Sequence, residues 1–396
     1  MSTSIRHIGL SAACRATGRP VGAARQLACL GLLFLAGALQ AGVLPEDRAD
    51  LLYHYYDGGG VRIDGPSVLV RKSIGEDVSL SANYYVDSVS SASIDVLTQA
   101  SRYSEERKET SLGMDYLHGD TVFSLAWTKS DENDYKATTW NIGISQEVFG
   151  GLTTISMGYG RGSDDVGRRN SDFNEPADHW RYRVGVSQIL SRNLIVGLDY
   201  EAITDEGYLN NPYRRVRYAD AGSATGYSYQ DELYPRTHDS SAVAIRARYH
   251  LPYRAAVTAG YRWFDDSWGI TASSFELGYI HPWQRWTFEL GYRYYTQNEA
   301  DFYSDLFPYA DAQNFLARDK ELSSFSNQSV RVAVGYEVPI RFTDLLERGS
   351  INLAYDRYSY DYDNFRDLRA TGFAAGSEPL YGFSANVVQL FLSLWF

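Results

Sequence analysis

Residues Val387–Phe396 read VVQLFLSLWF. Counted back in twos from the aromatic end, Phe396, Leu394, Leu392, Leu390 and Val388 fall on one face of an extended strand, because strand side chains alternate with period two. A soluble fold that showed this face beside an unpaired edge would aggregate. The stretch makes physical sense if another strand takes its edge and lipid takes its face, as in a closed membrane barrel.

The same alternation recurs upstream. In Arg285–Gln297, Trp286, Phe288, Leu290, Tyr292 and Tyr294 take one face, while Arg285, Thr287, Glu289, Gly291, Arg293 and Tyr295 take the other. Val330, Val332, Val334, Tyr336 and Val338 oppose Ser329, Arg331, Ala333, Gly335 and Glu337. Segments of about ten residues suit tilted membrane strands. The pattern predicts sixteen, at about 49–57, 66–73, 77–87, 109–117, 120–128, 137–148, 152–161, 179–190, 193–203, 239–251, 254–264, 268–280, 284–297, 327–339, 349–360 and 381–396. Gly65 and Pro66 interrupt it near the start. Trp127, Trp140, Trp180, Trp263 and Tyr294 end strands on one side, and Trp283, Trp286 and Phe396 on the other, as two interfacial girdles require. Connections alternate between tight turns, of which His281–Trp283 is one, and long loops at 88–108, 129–136, 162–178, 204–238, 298–326 and 361–380. Only 58–65 and 265–267 are short on the loop side. Short periplasmic turns and long outer loops are the barrel rule, which puts both termini in the periplasm. The expected fold is all-β: a transmembrane antiparallel up-and-down β-barrel of about sixteen strands.

The first 41 residues differ in composition. Arg6, Arg15, Arg19 and Arg25 form a basic region with no acidic residue, and Leu27–Leu39 is apolar but too short to cross a bilayer as a helix. Small residues follow at Ala36-Gly37-Ala38 and Ala41. This is the pattern of a cleaved signal peptide, giving 1–41 as leader and 42–396 as outer-membrane barrel. A lipoprotein is disfavoured, because Cys29 begins the apolar run and Gln26 stands where an apolar residue belongs. Cys14 and Cys29 both lie in the leader. Disulfides, thiolate metal sites and a CxxCH haem site are therefore excluded from the remainder, and no cofactor is expected. Removing the 4 leader arginines leaves 33 basic residues (37 minus 4) against 49 acidic, a net charge of −16, which disfavours nucleic acid.

The inward faces are charged with both signs. Arg181, Arg183, Arg246, Arg248, Arg262, Arg293 and Arg331 point inward with Asp115, Asp199, Glu201, Glu276, Glu289, Glu337 and Asp356. Such a set makes a cross-strand ion-pair lattice and, in a pore, a transverse field that orients polar solutes. His238-Asp239-Ser240 has triad residue types, but neighbours on a strand cannot converge on one atom. Asp199 and Glu201 share a wall beside arginines that keep them ionised, which argues against an acid catalyst. Gly58-Gly59-Gly60 leads into no helix and is no phosphate loop. The long loops are acidic and aromatic. Loop 204–238, with Tyr208, Tyr213, Tyr218, Tyr227, Tyr229 and Tyr234, is expected to fold over the mouth, and 88–108 carries Arg102, Glu105, Glu106 and Arg107. Asp301, Asp305 and the run Tyr360–Asn364 are expected to be solvated or to bridge lipopolysaccharide through cations.

Two stretches carry a resemblance to a family. They are YVDSVSSASIDVLTQASRYSEERKE at 85–109, and YYTQNEADFYSD at 294–305 with ARDKELSSF at 317–325. The chain resembles a family of uncharacterised Gram-negative outer-membrane β-barrel proteins catalogued as domain of unknown function 3570. Val388, Leu390, Leu392, Leu394 and Phe396 resemble the insertion signal read by the barrel-assembly machinery. The resemblance implies an outer-membrane location among lipid and lipopolysaccharide. It also implies a neighbourhood of envelope lipoproteins, thioredoxin-like proteins and a flavin-attaching transferase. The expected function is a passive pore for a polar solute, with loops constricting the mouth, and not an enzyme. The alternatives are a barrel scaffold docking an envelope redox partner and an outer-membrane hydrolase. The inward face of the last strand carries Trp395 and Phe391 beside Ser393 and Gln389. So apolar a face predicts either that these aromatics pack inside near the periplasmic end or that a plug or partner covers them there.

Overall fold

The computed structural model describes residues 42–91, 103–169, 171–340 and 345–396. The leader with its cysteines, and Arg102, lie outside them. The strands are β1 (Arg48–Gly58), β2 (Val61–Ile74), β3 (Val78–Ser91), β4 (Tyr103–His118), β5 (Thr121–Asp131), β6 (Tyr135–Val148), β7 (Thr153–Gly167), β8 (Asn174–Ser191), β9 (Leu194–Gly207), β10 (Arg215–Ala219), β11 (Tyr227–Asp231), β12 (Thr237–His250), β13 (Ala256–Asp266), β14 (Thr271–Trp283), β15 (Trp286–Gln297), β16 (Phe325–Val338), β17 (Arg348–Arg366) and β18 (Leu380–Trp395). All but β10 and β11 form one closed antiparallel barrel of sixteen strands, and those two pair as a separate hairpin.

Closure runs through β18. Leu390 sits between Leu353 and Tyr53, and Leu392 between Ile351 and Leu51. All six side chains are exposed on the barrel exterior. Met157, Tyr182, Val184, Leu198 and Ile245 continue the apolar surface around the wall. Lipid is the solvent that suits such a band. Trp127 faces Trp140 across β5 and β6, and Trp283 faces Trp286 across a hairpin, at opposite ends of their strands.

The strands overrun their expected limits at the loop end. β7 continues to Gly167, β8 begins at Asn174, β9 reaches Gly207 and β17 reaches Arg366. The polarity of the faces inverts there. Tyr358, Tyr360 and Tyr362 are buried inward, while Asp361 and Asp363 are exposed outward. The run Tyr360–Asn364 is therefore strand and not loop. Arg107 is likewise wall: it lies buried on β4, bonded to Glu109. His281–Trp283 belongs to β14, because Gln284 takes the left-handed turn position at φ 56°.

Gly65 and Pro66 do not end β2. Pairing to β1 continues through both, whereas pairing to β3 lapses there. A Cβ on Gly65 would lie 1.8 Å from the Val86 carbonyl oxygen, so only glycine fits. The interior is packed at the loop end, where one apolar cluster joins Tyr56, Tyr135, Tyr234, Trp268, Phe302, Phe325, Phe365 and Tyr381.

A charge on the exterior band is expected to be costly. Leu390→Arg should lower folding into bilayers by about 2–4 kcal/mol, read as a smaller refolded fraction by heat-modifiable gel migration. A refolded fraction equal to that of Leu390→Ala would count against a lipid-facing exterior.

Candidate functional site: a charged lumen beneath a loop cap

Strand alternation sets the inward faces, and register sets which charges meet. Arg183 donates to Glu201 at 2.5 Å, opposite it across β8 and β9. Arg246 pairs with Asp199, and Arg293 with Glu276 at 3.1 Å. Arg331 reaches Glu289 at 3.3 Å and Asp356 at 3.1 Å. Asp115 accepts from Ser124 at 2.6 Å, and Arg262 lies over the Phe264 ring at 5.4 Å. Arg181 and Arg248 share the inner faces of β8 and β12 with Arg183 and Arg246, while Glu337 stands near the hairpin end. Arg246 keeps 60 % of its side chain exposed and Asp199 37 %. This part of the lumen is open to solvent.

Nearer the loop end a carboxylate–imidazole chain runs along five neighbouring strands. His179 bonds Asp164 at 2.6 Å and Asp205 at 2.7 Å. His238 bonds Asp205 at 3.1 Å and Asp266 at 2.9 Å. Asp266 also accepts the Trp268 and Ile270 amides at 2.9 and 2.8 Å. In the triad-like run, His238 and Ser240 lie on the inner face while Asp239 is exposed, so the three do not converge. A second group stands on β1 and β3, where His54 pairs with Asp87 at 2.6 Å and Tyr85 donates to Asp87 at 2.7 Å.

Above the chain, three connections interlock: 208–236 with its β10–β11 hairpin, 298–324 and 367–379. Their centre is Arg217, whose side chain is 0 % exposed. It donates to the Asp305 carboxylate, to the Asp305 carbonyl at 2.8 Å, and to Glu378 at 2.6 and 3.1 Å. Arg318 donates to the same Asp305 carboxylate at 3.0 Å and stacks over Phe365 at 4.4 Å. The Arg366 amide donates to Asp305 at 3.2 Å. Asp305 is thus enclosed by cationic and amide donors and is not the solvated acid expected from the sequence. Arg214 pairs with Asp319. Beneath these ions Tyr234, Trp268 and Phe302 pack ring to ring, with centroids 5.2–5.6 Å apart.

The loop tyrosines sit in the cap. Tyr213 donates to Asp134 at 2.5 Å and accepts the Arg169 amide at 2.6 Å, pinning the long loop to two neighbouring connections. Tyr208 meets Phe173 edge-on at 5.0 Å, and Tyr227 meets Tyr229 at 5.5 Å. Burial pushes the Tyr208 and Tyr229 phenols up to about 12. Asp301 is exposed and donates its amide to the Trp268 carbonyl at 2.8 Å. Sequence reasoning missed Arg214, Arg217, Arg318 and Glu378, because single charges in irregular connections carry no period.

A strap covers part of the other end. Glu46 pairs with Arg348 at 2.5 Å and Asp47 with Lys72 at 2.7 Å, while the Phe396 amide donates to the Asp47 carbonyl at 3.4 Å. From there 42–47 runs to β6, where a Cβ on Gly42 would lie 3.4 Å from the Glu147 carboxylate. Arg348 also stacks over Trp395 at 4.6 Å, covering one of the inward aromatics on β18.

Two outcomes follow for the cap. Arg217→Met leaves Glu378 without its buried cation and Asp305 with Arg318 alone, and removing one partner of a buried pair costs about 3–5 kcal/mol. Limited proteolysis should then cut 208–236 in a barrel that still migrates as folded, and uncut loops would refute the central role of Arg217. Acid should loosen the cap as well. Burial alone raises the Glu378 carboxyl, but hydrogen bonds from Arg217 and from backbone amides outweigh it and hold the group below its ordinary 4.5. A depressed carboxylate stabilises above its unfolded value, and that contribution fades as pH falls through the lower folded value. Protease sensitivity should therefore rise below about pH 4.5 in the wild type, and less so in Glu378→Gln.

No curated protein matches the sequence. Among solved structures, the chain is similar to a bacterial polysaccharide outer membrane secretin, with 6 % identity, TM-score 0.47, and coverage of 89 % of this chain and 100 % of that one. A Pseudomonas aeruginosa FadL homologue gives 12 %, 0.43, 89 % and 91 %, and P. aeruginosa OpdK with vanillate gives 10 %, 0.42, 89 % and 100 %. The family model described as "Protein of unknown function (DUF3570)" matches residues 98–393. Three quarters of the chain fall within that match, and the protein belongs to this family.

Proposed function

We propose that this chain is an outer-membrane channel for a small polar solute, with both termini in the periplasm and the long connections at the cell surface. The carrying observation is a lumen whose mid-wall arginines and carboxylates remain solvent-exposed, while its loop end is filled by folded connections and the inward aromatics they pack on. Lipid and lipopolysaccharide would contact the exterior band, and the assembly machinery would read Val388, Leu390, Leu392, Leu394 and Phe396. Passage is passive: wall charges select and the cap gates.

Planar-bilayer recording tests this. The wild type should be mostly closed, with rare openings, and Arg217→Met should raise the open fraction at least about tenfold, as expected when a buried pair is broken. A silent bilayer for both proteins, at all voltages, sinks the channel reading. The second reading, a scaffold that docks an envelope lipoprotein or redox protein, draws support from the covering elements at both ends. A flavoprotein or lipoprotein copurifying in mild detergent would favour it over the channel.

A further inference from the structure

Two imidazoles at the loop end are bonded at both ring nitrogens. His179 meets Asp164 through Nε2 and Asp205 through Nδ1, while His238 meets Asp205 through Nδ1 and Asp266 through Nε2. An ionised carboxylate only accepts, and a neutral imidazole carries a single N–H. Four contacts need four protons, and two neutral rings bring two. The chain therefore holds two further protons. Its acids are already occupied as acceptors. Asp205 gives one oxygen to each ring, Asp164 also accepts from the Tyr135 hydroxyl, and the second oxygen of Asp266 accepts the Trp268 and Ile270 amides. Both rings are thus imidazolium. His54 differs: only its Nε2 meets Asp87, and its Nδ1 hydrogen-bonds nothing, so that contact needs no added proton.

What the chain fastens is the floor of the cap. Asp266 ends β13, and its two amide bonds shape the turn 267–270 that carries Trp268. The indole lies against the His238 ring at 4.2 Å and against Tyr234 and Phe302 of the cap at 5.6 and 5.2 Å. The other titratable and charged groups that face the chain are Tyr135 from β6, Arg181 from β8, Glu201 from β9 and Arg262 from β13, with Tyr208, Tyr234 and Glu232 from the cap. Elsewhere in this barrel arginine holds the buried acids: Arg217 and Arg318 hold Asp305, and Arg331 holds Asp356. Arginine keeps its charge at any working pH, and imidazole does not. Imidazole at this junction makes the fastening depend on pH.

We propose that Asp164, His179, Asp205, His238 and Asp266 act as a two-proton lock, fastening the Trp268 turn and the cap above it to the barrel wall and releasing them as pH rises. Losing a proton turns a ring lone pair onto a carboxylate oxygen, so a bond becomes a repulsion. The closed state binds two protons that the open state gives up above the ordinary imidazole value of roughly 6.5. Stability of the closed state therefore falls with pH there, and opening should grow by up to about a hundredfold per pH unit. The lock goes beyond the channel reading and needs no conductance.

Limited proteolysis of the refolded full chain in detergent, from about pH 7 to 10, tests it. Cutting within 298–324, normalised to an unstructured peptide, should climb steeply in the wild type and by at most about tenfold per pH unit in His238→Gln. His179→Gln/His238→Gln keeps every tyrosine and arginine, and should be cut at neutral pH with no such slope. Nitrogen-15 spectra of the wild type should show two imidazoles with both nitrogens protonated at about pH 8.5, a readout that survives a variant that refolds poorly. A flat wild-type profile, a slope unchanged in the double variant, or fewer than two doubly protonated rings overturns the lock. A silent bilayer overturns only the channel reading.

Discussion

The closure of β18 onto β1 is the contact on which the rest depends. Every β1 residue from Arg48 to Gly58 has a partner on β18. In hydrocarbon, each backbone group left unpaired along those two edges would cost several kcal/mol, so an open sheet is not an available state. Closure also converts sequence spacing into height. Once register is set, Arg183 has no choice but to face Glu201, and Arg331 to face Asp356.

Inside that wall the chain builds two environments. The middle is aqueous, and long arginines lie along glycine-lined backbone with their heads exposed. The loop end is a small protein core, with apolar side chains turned inward and charges buried only where matched. Burying Arg217 carries a large desolvation penalty, which several donors aimed at two carboxylates offset. The network ties 208–236, 298–324 and 367–379 together at one guanidinium.

The two environments explain how much was legible beforehand. Where lipid lies outside, apolar residues must recur every second position, and all sixteen strands carry that mark. Gly65–Pro66 looked like an interruption because the local rule ignores the partner strand, which approaches too closely there for any side chain. At the loop end the apolar face changes sides. Tyr358, Tyr360 and Tyr362 kept the period while Asp361 and Asp363 erased the outward signal, so strand read as loop. The lumen charges could be assigned to a face by counting, since facing is a one-dimensional property. The cap could not, because Arg217 and Glu378 stand 161 residues apart and only the folded barrel brings them together.

That separation has a temporal meaning. Arg217 lies between β9 and β12, while its carboxylates lie after β15 and after β17. No fragment ending before β18 can hold all three at their final positions, so the guanidinium stays hydrated until the last strands register. The cap is therefore a signature of completed assembly. A nascent or stalled barrel presents the same residues as a loose, acidic and aromatic fringe, with Arg217 apart from its two carboxylates.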